Sequence, residues 1–314
     1  MEEKVFVIFN TTSIGDVLVT NTLVQNIKYY YKDSKIVFIC TPAVCDVAKY
    51  QDGVDEVITL DKKICNTLQG IFNFTRNFPH KKPFASFVAY ANERNLLISR
   101  LIGAKHIISH NKFKLWNTKE KYPIKNYYHM KDRWSGMIEP LVGEYKNLPI
   151  KYDAPNIETP VIQKVKELKN PVAISTTSNL KPKDMSVKDC IELINLLNQD
   201  GYTPLMTGAG AIAREFVMNL KKEGCFDFVD IVDCTSFIEL ANVLKICNKC
   251  ISVDTGTLHF ANALQVPVVG IFYHGLADMW GSDSTLYPSV ILEGKDVKPT
   301  EIFNAFNQLC GVLV

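Results

Sequence analysis

No uninterrupted apolar run in this 314-residue sequence approaches the roughly 20 residues that cross a bilayer, so no transmembrane helix is expected. The start, Met1-Glu2-Glu3-Lys4 followed by the short run Val5–Phe9, reads as neither a signal peptide nor a transit peptide. A GxGxxG fingerprint is missing after the first apolar run, which argues against a dinucleotide-binding dehydrogenase. Excess charge of one sign is also missing. With 35 Lys+Arg against 33 Asp+Glu, the chain is not basic enough for nucleic acid to be the first choice of partner. Internal repeats and low-complexity tracts are absent. The nine cysteines are an odd number, scattered mostly inside apolar runs, as free thiols in a reducing cytoplasm are. A single CxxC, Cys247-Asn248-Lys249-Cys250, has no second pair of ligands nearby, so no metal site is expected.

What is present is alternation. Strand candidates Val5–Phe9, Ile36–Cys40, Val57–Leu60, Ala85–Tyr90 and His106–Ser109 fill the first half. Val172–Thr176, Thr203–Thr207, Val229–Val232, Cys250–Val253 and Val268–Phe272 fill the second. Their apolar residues are continuous rather than alternating, which implies burial on both faces of a parallel sheet. Helical spacing runs between them. Val17, Thr20, Val24, Ile27 and Tyr31 predict one helix, and Ile191, Ile194 and Asn198 predict another behind a Ser186/Asp189 capping box. Ile238, Ala241 and Lys245 mark a third, and Thr300–Leu309 after Pro299 the last.

This pattern and length predict two doubly wound α/β domains with a cleft between them. The pattern loosens from about Lys112 to Ile162, where "NLPIKYDAPNIETP" (147–160) carries three prolines. The linker is expected there, giving domains 1–150 and 151–314. The halves also differ in charge. Residues 1–150 hold 21 Lys+Arg against 14 Asp+Glu, and residues 151–314 hold 14 against 19. Residues 105–133 alone carry eight cations: Lys105, Lys112, Lys114, Lys119, Lys121, Lys125, Lys131 and Arg133. They form either a solvated face or a surface that meets an anion.

Ligands of open parallel sheets bind beyond the carboxyl ends of strands, where the next helix begins. Four such junctions stand out. Asn10-Thr11-Thr12-Ser13-Ile14-Gly15-Asp16 follows the first strand. A lone aspartate there is commonly a helix cap, but beside Gly15 its carboxylate can also stay reachable and accept a hydroxyl proton. Thr176-Thr177-Ser178-Asn179-Leu180-Lys181-Pro182-Lys183 offers hydroxyls and two lysines. That suits either a polar turn or a phosphate at a helix start. Thr207-Gly208-Ala209-Gly210-Ala211 reads best as a plain tight turn. In the fourth, Asp254-Thr255-Gly256-Thr257 would aim backbone N–H groups and hydroxyls at an anion, with His259 on the first helical turn. Asp254 cannot favour a phosphate directly, so it fixes the turn or bonds a hydroxyl.

Together, "TSIGDVLVTNTLVQNIK" (12–28), "TTSNLKPKDMSVKDCIEL" (176–193) and "SVDTGTLHFANALQVPVVGIF" (252–272) resemble glycosyltransferase family nine, the ADP-heptose:lipopolysaccharide heptosyltransferases. The resemblance implies two Rossmann-like domains facing across a cleft, the GT-B arrangement. The N-terminal domain would bind the acceptor and the C-terminal domain the nucleotide sugar. The last helix is a candidate to pack back on the N-terminal domain. By the same resemblance, Asp16 is the general base of an inverting transfer, with Ser13 and Gly15 beside the acceptor. Thr176, Thr177, Lys183, Thr235, Asp254, Thr255, Gly256 and His259 hold the donor, and Lys183 serves the departing diphosphate. Metal and cofactor are not implied. The implied partners are a nucleotide-diphosphate sugar, ADP-heptose first, and an anionic glycolipid such as lipid A or the lipopolysaccharide core. The implied place is the cytoplasm, peripheral to the inner membrane. Two departures mark the chain: Met185-Ser186 stand where the family often has Trp-Pro, and Tyr273-His274-Gly275-Leu276 where it has Gly-Pro-Thr. The alternatives are another nucleotide-hexose or a non-catalytic nucleotide-sugar binder of the same fold.

Overall fold

The computed structural model describes residues 3–90, 92–110 and 125–311. Lys112, Lys114, Lys119 and Lys121 of the basic run lie outside the described residues. The chain divides into two compact Rossmann-like units, Met1–Asp153 and Ala154–Val314. In the first, β1 (Lys4–Phe9), β2 (Ser34–Cys40), β3 (Glu56–Thr59), β4 (Ala85–Val88) and β5 (His106–Ser109) form a parallel sheet in the order β3-β2-β1-β4-β5. The middle strand β1 buries Phe6, Val7, Ile8 and Phe9 completely, as a strand covered by helices on both faces must.

The helices among the described residues of this unit are α1 (Ile14–Val19), α2 (Asn21–Tyr30), α3 (Cys45–Lys49), α4 (Leu68–Asn77), α5 (Glu93–Leu101), α6 (Met130–Ser135) and α7 (Glu139–Val142). The single helix expected over 17–31 is two helices, interrupted at Thr20. The physical reason is local. Thr20 donates its hydroxyl back to the Asp16 carbonyl at 2.7 Å while Asn10 bonds both that carbonyl and the Thr20 hydroxyl, so side chains take over the first helix's end. The linker is also shorter than the loosened sequence suggested. Residues 130–142 are helical, and Trp134, Met137 and Ile138 are buried against α2. The irregular connection spans 143–159.

The second unit contains α8 (Pro160–Lys166), β6 (Pro171–Ser175), α9 (Val187–Gln199), β7 (Thr203–Met206), α10 (Ala211–Lys222), β8 (Val229–Asp230) and α11 (Phe237–Cys247). It continues with β9 (Cys250–Val253), α12 (Gly256–Ala263), β10 (Val268–Phe272), α13 (Ala277–Trp280), β11 (Ser289–Glu293) and α14 (Pro299–Gly311). Its sheet is parallel, in the order β11-β10-β9-β6-β7-β8. Strand β11 was not foreseen. It is an edge strand, half-buried, and its three aliphatic residues between Pro288 and Gly294 give a weak signal. The last helix packs on α9, β10 and β11 of its own unit, with Ile302 and Phe306 fully buried there. Ser186 caps α9 by accepting from the Asp189 N–H at 3.0 Å. Asp189 returns its carboxylate to the Ser186 hydroxyl rather than to its backbone, so the capping box is only half made. Ser236 and Glu239 at α11 make the full reciprocal pair.

Among the described residues, eight cysteines are free and no cluster could hold a metal. The CxxC pair is buried, and burial pushes the Cys247 thiol up to about 12. Among the described residues, no helix is long and apolar enough to cross a membrane.

Candidate active site

Each sheet has one point where the strand order reverses, and there a crevice opens at the strands' carboxyl ends. In the first unit it lies between β1 and β4, in the second between β6 and β9. The segments around Asp16, Thr176–Lys183 and Asp254–His259 follow the strands at these two points, whereas Thr207–Ala211 follows β7 and Thr235 lies after β8.

In the N-terminal unit, Asn10 leaves β1 and is fully buried. Its carboxamide oxygen accepts from the Thr12 backbone at 3.1 Å and from the Thr12 hydroxyl at 2.5 Å, which turns the chain into α1. Ser13 occupies the N-cap position, yet its hydroxyl does not cap the helix. It donates to Asp16 Oδ2 at 2.6 Å. Tyr90, two residues past the end of β4, donates its phenol to Asp16 Oδ1 at 2.9 Å. The Asp16 carboxylate, half-exposed in the first turn of α1, is therefore held by a hydroxyl on each oxygen, and each oxygen keeps a lone pair for another donor. Tyr90 itself stands against Trp134, ring centroids 5.1 Å apart. Burial first, then the neighbouring Asp16 charge and the hydrogen bond to it, push the Tyr90 phenol well above its ordinary value. Gly15 lies beside the carboxylate in the same turn.

In the C-terminal unit, β6 ends at Ser175, and Thr176 (buried) and Thr177 (half-buried) follow. Asp184 accepts from the Ser178 N–H at 2.6 Å, and the Met185 N–H returns to the Thr176 carbonyl at 2.9 Å. These bonds close the loop and carry the 3-10 turn Lys181–Lys183 back over the strand ends. The Lys183 ammonium forms an ion pair with Asp254 at the end of β9. Lys181 makes no such ion pair among the described residues, so the structure separates the two lysines of this segment. Thr255 starts α12 without using its side chain as a cap, which leaves the first-turn N–H groups to other acceptors. Thr255 and Gly256 are half-buried, and His259, one turn on, is buried with its ring 5.9 Å from Trp280. Thr235 precedes the Ser236 cap of α11. Phe237 stacks on Phe260 at 6.2 Å, which sets that helix start beside α12. Gly210, at φ +87°, donates its N–H to Asp233 at 2.6 Å, so the 207–211 segment is tied as a tight turn.

Sequence reasoning named Tyr90 only as a strand residue and passed over Trp280. The signal for Tyr90 was its place at the end of an apolar run. Its meaning depends on β4 lying next to β1, which no local pattern encodes.

The fold is shared with solved structures. A glycosyl transferase family 9 protein from Veillonella parvula is 18% identical with a TM-score of 0.83, over 98% of this chain and 97% of that chain. The E. coli ADP-heptose lps heptosyltransferase II is 14% identical with a TM-score of 0.75, over 99% of each chain. The E. coli heptosyltransferase WaaC with ADP is 18% identical with a TM-score of 0.73, over 99% of this chain and 100% of that one. Compared by sequence, no curated protein matches. The family model for glycosyltransferase family 9 (heptosyltransferase) matches residues 96–287, well over half of the sequence and most of the C-terminal unit, though not the Asp16 segment. The chain is a glycosyltransferase and belongs to glycosyltransferase family 9.

Proposed function

We propose that the chain transfers a sugar with inversion from a nucleoside-diphosphate sugar, ADP-heptose first, to a hydroxyl of an anionic glycolipid of the lipopolysaccharide core or lipid A class. Work on such an acceptor would place the enzyme at the cytoplasmic face of the inner membrane. The N-terminal unit receives the acceptor and the C-terminal unit the donor. Asp16 takes the proton as the acceptor oxygen forms its bond to the anomeric carbon. The bond from that carbon to the phosphate oxygen breaks, and the diphosphate leaves with the electron pair. Lys183 and the N–H groups of Thr255 and Gly256 at the start of α12 balance its charge. Thr176 and Thr177 offer hydroxyls to the same diphosphate, and Asp254 holds Lys183 in place. His259 closes the phosphate pocket, and Thr235 contacts the nucleoside. Gly15 allows the acceptor to approach, and Ser13 orients the base.

The observation that carries this reading is the Asp16 carboxylate at the switch point of its sheet, held by Ser13 and Tyr90. A neutral hydroxyl on each oxygen fixes the group without neutralising it. One E. coli protein of this fold, the heptosyltransferase WaaC, is solved both with ADP and with ADP-2-deoxy-2-fluoro heptose, which favours an adenine nucleotide. The test has two arms. Thermal shift with ADP, UDP, GDP, CDP and their sugars should show stabilisation by ADP species above the rest. Asp16→Asn should keep that stabilisation and lose transfer, whereas unchanged transfer would remove Asp16 as the base. Stabilisation by another nucleotide alone would shift the donor to a different nucleotide-hexose. The loop at Tyr273–Leu276 is the observation that favours this second reading. Gly275 and Leu276 both adopt positive φ there, and Glu293 accepts from the Ala277 N–H at 3.1 Å.

A further inference from the structure

We infer that the N-terminal unit carries a docking surface for an anionic lipid bilayer, formed by the Ile64 turn and the outer face of α4. Single exposed apolar residues need no explanation, but clusters do. Ile64, Leu68 and Phe72 are 61%, 70% and 61% exposed, and they come from one stretch of nine residues. Leu68, Phe72 and Arg76 follow a four-residue spacing, so they form one stripe along the helix. Ile71 and Thr75 face the other way into the core, so the exposed stripe is in excess of what the fold uses.

Ile64 is held in the same surface. It lies in a 3-10 turn before the helix, and its carbonyl oxygen would sit 1.9 Å from a Cβ at position 70. Only glycine admits that approach. Gly70 therefore lets the Ile64 turn lie directly on the first helical turn, where Thr67 caps the helix by accepting from the Gly70 N–H at 3.0 Å.

The charge around the stripe selects the partner. Residues 61–82 hold Lys62, Lys63, Arg76, Lys81 and Lys82 against a single acid, Asp61. Lys62, Lys63 and Arg76 are exposed and make no ion pair among the described residues. Arg94 adds a cation by donating to Asn66 of the same turn at 3.1 Å. An apolar stripe ringed by cations fits the interface of an anionic bilayer, where apolar side chains enter the acyl boundary and cations meet the headgroups. A second protein would have to supply both a matching groove and matching acids. Among the described residues no helix is long and apolar enough to cross a membrane, so the surface would lie on the bilayer.

The inference gains its sense from the proposed glycolipid acceptor, but its test does not need transfer. The full chain is sedimented with vesicles of phosphatidylcholine alone and of phosphatidylcholine mixed with phosphatidylglycerol. Binding to the mixed vesicles and little to the neutral ones is expected. Leu68→Ser with Phe72→Ser should weaken it at least tenfold, and Lys62→Glu with Lys63→Glu by about fivefold per charge removed. Phe226→Ser, an equally exposed apolar site in the C-terminal unit, is the control and should change nothing. Unchanged melting temperatures would show that the variants fold. Equal vesicle binding by wild type and the Leu68/Phe72 variant would overturn the inference. So would a dimer in light scattering that the same variant dissolves, since the stripe would then belong to a second copy. Vesicle binding without sugar transfer would leave the surface standing and count against the proposed acceptor alone.

Discussion

The two units place a carboxylate at the same topological position and surround it with opposite chemistry. Asp16, at the β1/β4 reversal, is held by the hydroxyls of Ser13 and Tyr90 and makes no ion pair among the described residues. Asp254, at the β6/β9 reversal, is buried and paired with the Lys183 ammonium. A carboxylate held by neutral donors stays a free negative charge with lone pairs to spare, as a proton acceptor requires. A carboxylate pinned by a lysine has its charge cancelled and serves to place the cation. Position at a switch point makes a group reachable; its neighbours decide what it does there.

The largest test of this contrast removes Asp16 in one variant and the lysine that pins Asp254 in another. Asp16→Asn should lower kcat by roughly two to four orders of magnitude with ADP affinity unchanged, the usual range for a lost general base. Lys183→Met should do something different: ADP binding by calorimetry should weaken about 10- to 100-fold, the worth of a charged hydrogen bond. It should also lower the melting temperature of the empty protein, because Asp254 is left buried without its cation. Breaking such a pair costs about 3 kcal/mol, or several degrees. Adding Asp254→Asn to Lys183→Met should recover part of that stability and none of the ADP affinity. If Lys183→Met left ADP binding intact, the C-terminal switch point would not be the phosphate site.

A smaller effect is expected from Tyr90→Phe, which removes one of the two hydroxyls on Asp16. We expect kcat to fall about two- to tenfold, the worth of one hydrogen bond, with ADP affinity unchanged. Tyr90 acts only through Asp16, so the Asp16→Asn/Tyr90→Phe double variant should be no slower than Asp16→Asn alone. An additive loss would mean that Tyr90 touches the substrate itself.

The contrast was only half visible in the sequence. The continuous apolar strands, the strand-to-helix junctions and the Asp254-Thr255-Gly256 turn are local patterns, and they point to the right segments. Strand pairing is not local. That Tyr90 meets Asp16, 74 residues away, follows from β4 lying beside β1. That Lys183 rather than Lys181 meets Asp254, 71 residues on, follows from the way Asp184 closes its loop. The break at Thr20 was hidden because Val17, Thr20, Val24 and Ile27 keep helical spacing straight through it. The buried bonds of Asn10 that end the first helix are tertiary. Strand β11 was missed because an edge strand needs only one apolar face and leaves a short signal.

The smallest expected effect reads the hydroxyl-held acid directly. The Tyr90 phenol is raised by burial first, then by the Asp16 charge, then by its hydrogen bond to Asp16. An unfolded tyrosine loses its proton at about 10. Above that pH the unfolded chain has shed a proton that the folded Tyr90 still holds, so stability falls as pH rises further; below it the contribution is fully present. Half-buried Tyr145 and buried Tyr152 and Tyr273 are raised as well and set a common alkaline slope. Tyr90→Phe should flatten the fall of melting temperature past pH 10 by one tyrosine's share. Asp16→Asn should flatten it less, because it removes the charge and leaves the burial. Identical slopes for the wild type and both variants would mean that Tyr90 titrates as a free phenol in solution. The carboxylate of Asp16 would then lack one of the two donors that distinguish it from Asp254.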